Sequence, residues 1–184
     1  MSNNGFHKLA RTEFNKCNNS EDFAKIRRLL KGYGIQKFYN EMKDKNIFQN
    51  TQITNYKNTF AKMIRNTNYK PQEYIRMKDF LMITCYRNPE HKLLTPKLLD
   101  WDSFNVLTLN KTHISLLKNM KRVAENWAKI HRYKKPFFCF HCYPFNSVQT
   151  LHLHVCDLSV DKNFSKNPFN LPLECVIEVL KNDC

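Results

Sequence analysis

Two histidines spaced by one residue, His152 and His154 in the string Thr150-Leu-His-Leu-His-Val-Cys156, form the densest set of chemistry-bearing side chains in the chain. Side chains alternate along a strand. Thr150, His152, His154 and Cys156 then share one face, while Leu151, Leu153 and Val155 enter a core. Near neutral pH one imidazole can act as an unprotonated nucleophile while its neighbour holds a phosphate, because protonating either discourages protonating the other. The same pair also suits metal ligation, or a solvated polar face. A second cluster, Cys139-Phe140-His141-Cys142, has CxxC spacing. On a strand over 137–143, however, its thiols point to opposite faces and cannot hold one ion. A structural zinc site and any other cofactor are not expected, a metal held by Cys139, His141, His152 and His154 is the weaker alternative, and Cys142 and Cys175 read as small buried apolar residues.

The elements that must position these residues can be read from hydrophobic periodicity. After Asn19-Ser20, Phe23, Ile26, Leu29 and Leu30 make one apolar helical face, with Gly32 and Gly34 as stop signals. Ile35, Phe38, Tyr39 and Met42 predict a second helix, and Ile53 to Ile64 a third, ending near Asn66. Strands follow: 74–77 and 80–83 as a hairpin around Lys78-Asp79, then 91–95 closed by Pro96. Residues 98–109 read as irregular or partly helical. Thr112 then caps a long helix in which Ile114, Leu117, Met120, Ala124, Trp127 and His131 share a face. His113, His131, Trp101 and Trp127 read as structural residues of that region. Two strands, 137–143 and 150–158, carry the candidate chemistry, 159–171 has loop composition, and 173–180 forms a last helix.

Charge narrows the partners. The 184 residues hold 30 Lys+Arg against 16 Asp+Glu, a formal net charge of +14, with 42% apolar and 13% aromatic content. That composition buries a core and excludes disorder as the main reading. Residues 1–70 carry 14 Lys/Arg and 5 Asp/Glu, whereas 71–184 carry 16 and 11. Such a field attracts polyanions with a steep salt dependence. Arg27, Arg28 and Lys31 on the first amphipathic helix, and Arg132, Lys134 and Lys135 before the histidine strands, are the expected nucleic-acid contacts. The longest apolar stretch, near 80–86, is too short to span a bilayer, and the N-terminus has no signal-peptide pattern. Seven cysteines without paired spacing fit reduced thiols. An intracellular protein without membrane contact is expected, its basic segments reading equally as nuclear targeting or substrate grip.

The string SVQTLHLHV (147–155) resembles the signature of the histidine-triad (HIT) nucleotide hydrolases and transferases. HKLLTPK (91–97), the hairpin YIRMKDFLMIT and the long helix 112–131 follow that family's order, so the likeness covers about residues 55–165. Within the family FHCYPFNSVQTLHLHV looks most similar to the aprataxin-like branch, with two extra residues between Pro144 and Ser147 and without that branch's zinc module. The resemblance implies an α+β fold: a small antiparallel sheet of about five strands with a long packed helix, residues 53–184, behind a basic helical extension, 1–52. It implies that His152 attacks the α-phosphorus to form a nucleotidyl-histidine, and that His154, with Ser147 and Asn146, binds phosphate oxygens. His91 and Lys97 match positions near that pocket. His141 would serve the leaving group or the second phosphate.

Thr150 replaces the first triad histidine and keeps only a hydroxyl for orientation. A register with His154 central and Cys156 last is the other alignment of the motif. The implied activity is phosphoanhydride hydrolysis at a nucleic-acid 5′ end, in the aprataxin-like manner on adenylated DNA, or on a cap or dinucleotide as in scavenger decapping relatives. A fold that binds nucleic acid after losing catalysis is the competing reading, with Thr150 as its mark. Family members often pair, so a homodimer is one expected assembly.

Overall fold

The structure, a computed structural model, describes residues 5–44, 74–85, 88, 90–97, 103, 105–146 and 150–183. The expected helix over 53–66, Trp101 and Ser147 lie outside the described residues, as does the 52/53 division. Three helices come first: α1 (Phe6–Glu13), α2 (Ser20–Tyr33) and α3 (Ile35–Asp44). The Asn19 side chain accepts the Asp22 N–H at 2.9 Å and so starts α2, while Gly34, at φ +98°, ends it in a conformation that only glycine adopts without strain. Gly32 lies inside the helix and stops nothing. Helix α1, which buries Phe6 and Ala10 one turn apart, was not expected from the sequence.

The remaining elements are β1 (Tyr74–Arg76), β2 (Phe80–Thr84), β3 (Lys92–Pro96), α4 (Ile114–Ile130), β4 (Pro136–Phe140), β5 (Leu153–Asp157), the two-residue β6 (Leu171–Pro172) and α5 (Leu173–Asn182). Among the described residues they build an α+β domain with one antiparallel sheet in the order β1-β2-β3-β5-β4-β6. Leu93 and Cys139 flank His154 in register. The start of α4 differs from expectation. Asn110, not Thr112, makes the cap: it accepts from Thr112 N at 2.9 Å, and His113 Nδ1 accepts the Asn110 N–H at 3.1 Å. A 3₁₀ turn, Lys111–His113, then leads into the helix. At its other end His131 stacks on Trp127 at 3.8 Å.

One face of the sheet makes the core. Phe80, Met82, Leu94, Phe140, Leu153 and Val155 pack with Leu117, Met120 and Ala124 of α4, Val176 and Leu180 of α5, and Phe23 and Ile26 of α2. Each fully buried side chain of this kind contributes about 1.5–3 kcal/mol. Phe6 and Phe38 join the same cluster through Tyr143, with ring centroids 6.3 and 5.5 Å away. Both β4 and β5 are shorter than expected. The chain leaves β4 after Phe140 because Tyr143 is drawn to α1 and α3, and β5 begins only at Leu153. The opposite face carries Leu81, Ile83, Leu93, Cys139 and the histidines, buried but apart from that core.

Candidate active site

β5 presents His154 to this second face, and His152, one residue before the strand, lies beside it with ring centroids 4.9 Å apart. His141, one residue beyond β4, places its ring 4.3 Å from that of His154 on the same face. Three imidazoles thus adjoin, one on β5, one just before it and one just beyond β4. His152 and His154 are both buried, at 7% and 8% exposure.

Hydrogen-bond geometry assigns the His152 tautomer. Its Nδ1 lies 2.7 Å from the carbonyl oxygen of Thr150, which can only accept, so Nδ1 carries the proton and Nε2 the lone pair. Burial is the main cause holding His152 low, at about 4, against the Thr150 bond, which favours the charged ring; the neighbouring His141 lowers it further. At neutral pH the ring is therefore uncharged and held as the Nδ1–H tautomer. Thr95 Oγ1 donates to Leu151 O at 2.8 Å and clamps the chain as it enters β5. Thr150 is buried, and its contribution to this tautomer comes from its backbone.

His154 is the opposite case. Neither Nδ1 nor Nε2 has a hydrogen-bond partner among the described residues. Burial, then the proximity of His152, His141 and His91, pushes its pKa well below the usual imidazole range. A buried polar group without a partner is costly. An anionic oxygen would both accept the ring N–H and favour a second proton.

The segment after β5, with no signal beyond loop composition, supplies residues that sequence reasoning missed. Asp161 Oδ2 lies 3.0 Å from His91 Nε2 and 2.8 Å from Asn88 Nδ2, while its Oδ1 accepts from Phe164 N at 3.0 Å. Phe164 thereby sits over the cluster, with its centroid 4.3 Å from His91 and 5.8 Å from His154. Asn170, 3% exposed, contacts His141 Nε2 through Oδ1 and donates from Nδ2 to Phe164 O, each at 2.6 Å. His91 is thus held by Asp161, its pKa lowered by burial against that carboxylate's pull. The Asp-x₃-Asp and Asn-Pro-Phe-Asn spacings, rich in turn formers, were the only available signal.

The other expected residues separate into three groups. Lys97 follows β3, at the end of the sheet where the chain approaches β5, and Asn146 precedes the undescribed Ser147. Arg132, Lys134 and Lys135 are exposed in the turn into β4. That turn is fixed by Asp157, which accepts from Lys134 N, Lys135 N and Ser159 N at 2.8–2.9 Å. Burial raises the Asp157 pKa, but these bonds prevail and hold it at about 2. On α2, Arg28 and Lys31 are exposed and line a cavity of about 670 Å³ with Leu30, Leu107, Leu109 and Val179, none of which belongs to the histidine cluster. Arg27, expected to reach nucleic acid, is engaged inside the protein. Its guanidinium donates to Leu107 O at 2.9 Å, Leu109 O at 2.6 Å and the Asp183 carboxylate. Cys142, outside β4, is buried beside Cys17, and the described cysteines are free thiols.

Residues 50–169 match the family model described as scavenger mRNA decapping enzyme, C-terminal binding. No curated protein matches the chain. The model represents the HIT-like domain of that enzyme family, so the match bears out the histidine-triad family and does not show the aprataxin-like branch. No helix among the described residues is long and apolar enough to cross a membrane.

Proposed function

This chain belongs to the family of the scavenger mRNA decapping enzyme C-terminal domain, a HIT-type hydrolase family, and on that premise we propose that it hydrolyses a phosphoanhydride at a capped nucleotide or RNA 5′ end through a nucleotidyl-histidine on His152. The observation that carries this reading is the His152 Nδ1–H bond to Thr150 O, which makes Nε2 the nucleophilic atom. It also favours His152 over His154 as the central histidine, since no bond fixes a tautomer for His154.

In the first half-reaction Nε2 attacks the phosphorus in line, the bond to the leaving phosphate oxygen breaks, and that oxygen departs with the bonding pair. His154 meets the charge developing on a non-bridging oxygen, in a site where burial strengthens each such contact. Water then attacks the nucleotidyl-imidazole, releasing nucleoside monophosphate and restoring the His152 lone pair. Lys97, Asn146 and Ser147 complete the phosphate contacts in this reading, and the exposed Arg28, Lys31, Arg132, Lys134 and Lys135 favour a polymeric substrate through salt-sensitive contacts.

The test incubates the full chain with capped RNA, a cap dinucleotide, adenylated DNA and dinucleoside polyphosphates in chelator. Release of the cap nucleoside monophosphate, with a nucleotide trapped on His152, is the expected result. His152→Ala lowers turnover by roughly 10³-fold or more while substrate binding persists. Turnover of adenylated DNA alone would restore the aprataxin-like substrate. Salt-sensitive binding with no monophosphate from any substrate would leave a non-catalytic binding protein.

A further inference from the structure

We infer that Asn170 is a positioning residue: it fixes the proton-bearing nitrogen of His141, so that Nδ1 is the one atom through which His141 exchanges a proton at the site. The inference deepens the proposed function and rests on it for the reaction, though not for the tautomer.

The assignment follows from what each atom can do. Phe164 O can only accept, and Asn170 approaches it at 2.6 Å, so the amide must turn Nδ2 toward it. That leaves Oδ1, an acceptor, 2.6 Å from His141 Nε2. Nε2 must therefore hold a proton in both charge states of the ring. The ring's remaining nitrogen, Nδ1, is bare when His141 is neutral and protonated when it is charged. Asn170 is 3% exposed, so water offers little competition for either bond.

Among the described residues the groups facing His141 are His154 of β5 at 4.3 Å, Phe164 of the segment after β5 at 6.4 Å and Asn170 itself, with His91 and His152 close enough to disfavour its cation. No carboxylate is among them, so proton affinity at Nδ1 rises when an anionic substrate arrives. During transfer, Nδ1–H goes to the leaving oxygen as the phosphorus–oxygen bond breaks. In hydrolysis the bare Nδ1 takes a proton from the attacking water, which balances the cycle.

Ring ¹⁵N spectra of the full chain, recorded without substrate, test the tautomer directly. The expected spectrum shows His141 protonated at Nε2 with Nδ1 bare, and mixed tautomers in Asn170→Ala. Asn170→Asp keeps Nε2–H and raises the titration of the ring, moving the matching limb of the kcat–pH profile upward by about one unit. Asn170→Ala lowers kcat about tenfold, a part of the roughly 10²–10⁴ that a positioned proton transfer contributes, with KM changed less than about twofold. In a His141→Gln background, which preserves the bond to Oδ1, Asn170→Ala costs no further activity if it acts through His141. A wild-type His141 protonated at Nδ1, or additive losses in the double variant, would overturn the inference. If no substrate turns over, the proposed function fails while the spectra still decide the role of Asn170. Should Asn170→Ala not fold, the wild-type spectrum and Asn170→Asp carry the test.

Discussion

Arg27 and His154 are both polar groups taken largely out of water, and the chain treats them in opposite ways. The two terminal nitrogens of Arg27, though not its buried Nε, meet acceptors: Leu107 O and Leu109 O ahead of α4 and Asp183 after α5, with the face of Phe23 5.6 Å away. Three distant parts of the sequence are tied at one guanidinium. His154 lies among other imidazoles, with neither ring nitrogen satisfied among the described residues. The first arrangement holds the fold together. The second leaves both ring nitrogens without a protein partner among the described residues, which fits the phosphate contact proposed for His154.

Acid separates the two regions most strongly. His91, His141, His152 and His154 all titrate below the ordinary imidazole value, chiefly because burial disfavours the charged ring. In the unfolded chain the same rings take up protons near 6.5, so below that pH the unfolded state binds more protons than the folded one. Stability is complete above about pH 6.5 and falls as the pH drops toward the folded values. For His152 alone, the step from 6.5 to about 4 corresponds to roughly 3 kcal/mol. Urea unfolding between pH 7.5 and 4.5 should show this loss, reduced in His152→Leu and retained in Arg27→Ala. A flat profile would mean that the histidine face is wetter than its burial implies.

Arg27→Ala is the converse. It leaves two carbonyls and the Asp183 carboxylate without their donor and frees the end of α5 from α2. The expected cost is about 2 kcal/mol, below the figure for a fully buried pair because Asp183 is 34% exposed. The His152 tautomer, read by ring ¹⁵N shifts, should not change. A lost Nδ1–H at His152 in this variant would show that the two regions are coupled and weaken the contrast.

The sequence exposed these regions unequally. Period-two alternation placed Leu151, Leu153 and Val155 inward and the histidines together, and the family string extended that to a fold and a nucleophile. Asn19 was legible as a cap because its chemistry is local. Arg27 was not, because its surface-like helical position said nothing of carbonyls some 80 residues away. Asp161, Phe164 and Asn170 escaped for the same reason. Their roles exist only once the segment after β5 folds back over the sheet, and loop composition carries no periodic signal of that closure. The overlong strand at 141–143 failed differently: Cys142 and Tyr143 are as apolar as strand residues, but their burial comes from Cys17, α1 and α3 rather than from pairing.

The smallest effect is also the most discriminating, because its sign is unusual. His154→Leu removes two unpartnered nitrogens from a site 8% exposed and substitutes a side chain of similar bulk beside Leu93 and Cys139. Relief of an unmade hydrogen bond contributes about 1–3 kcal/mol, and imperfect packing of the new side chain takes back part of it. A net gain of about 1 kcal/mol at pH 7.5 is expected, larger at pH 5, where the wild-type ring resists its proton. Affinity for nucleoside monophosphate, read by calorimetry, should fall at least about tenfold in the same variant, the usual opposition of stability and function at a site. His91→Leu is the matched control, since His91 Nε2 already faces Asp161 at 3.0 Å and the substitution removes one of that carboxylate's partners, leaving Asn88 and Phe164 N. It should destabilise by about 1–2 kcal/mol. If His154→Leu also destabilises, the ring nitrogens are already satisfied by ordered water, and the difference between the Arg27 hub and the histidine pocket becomes one of degree.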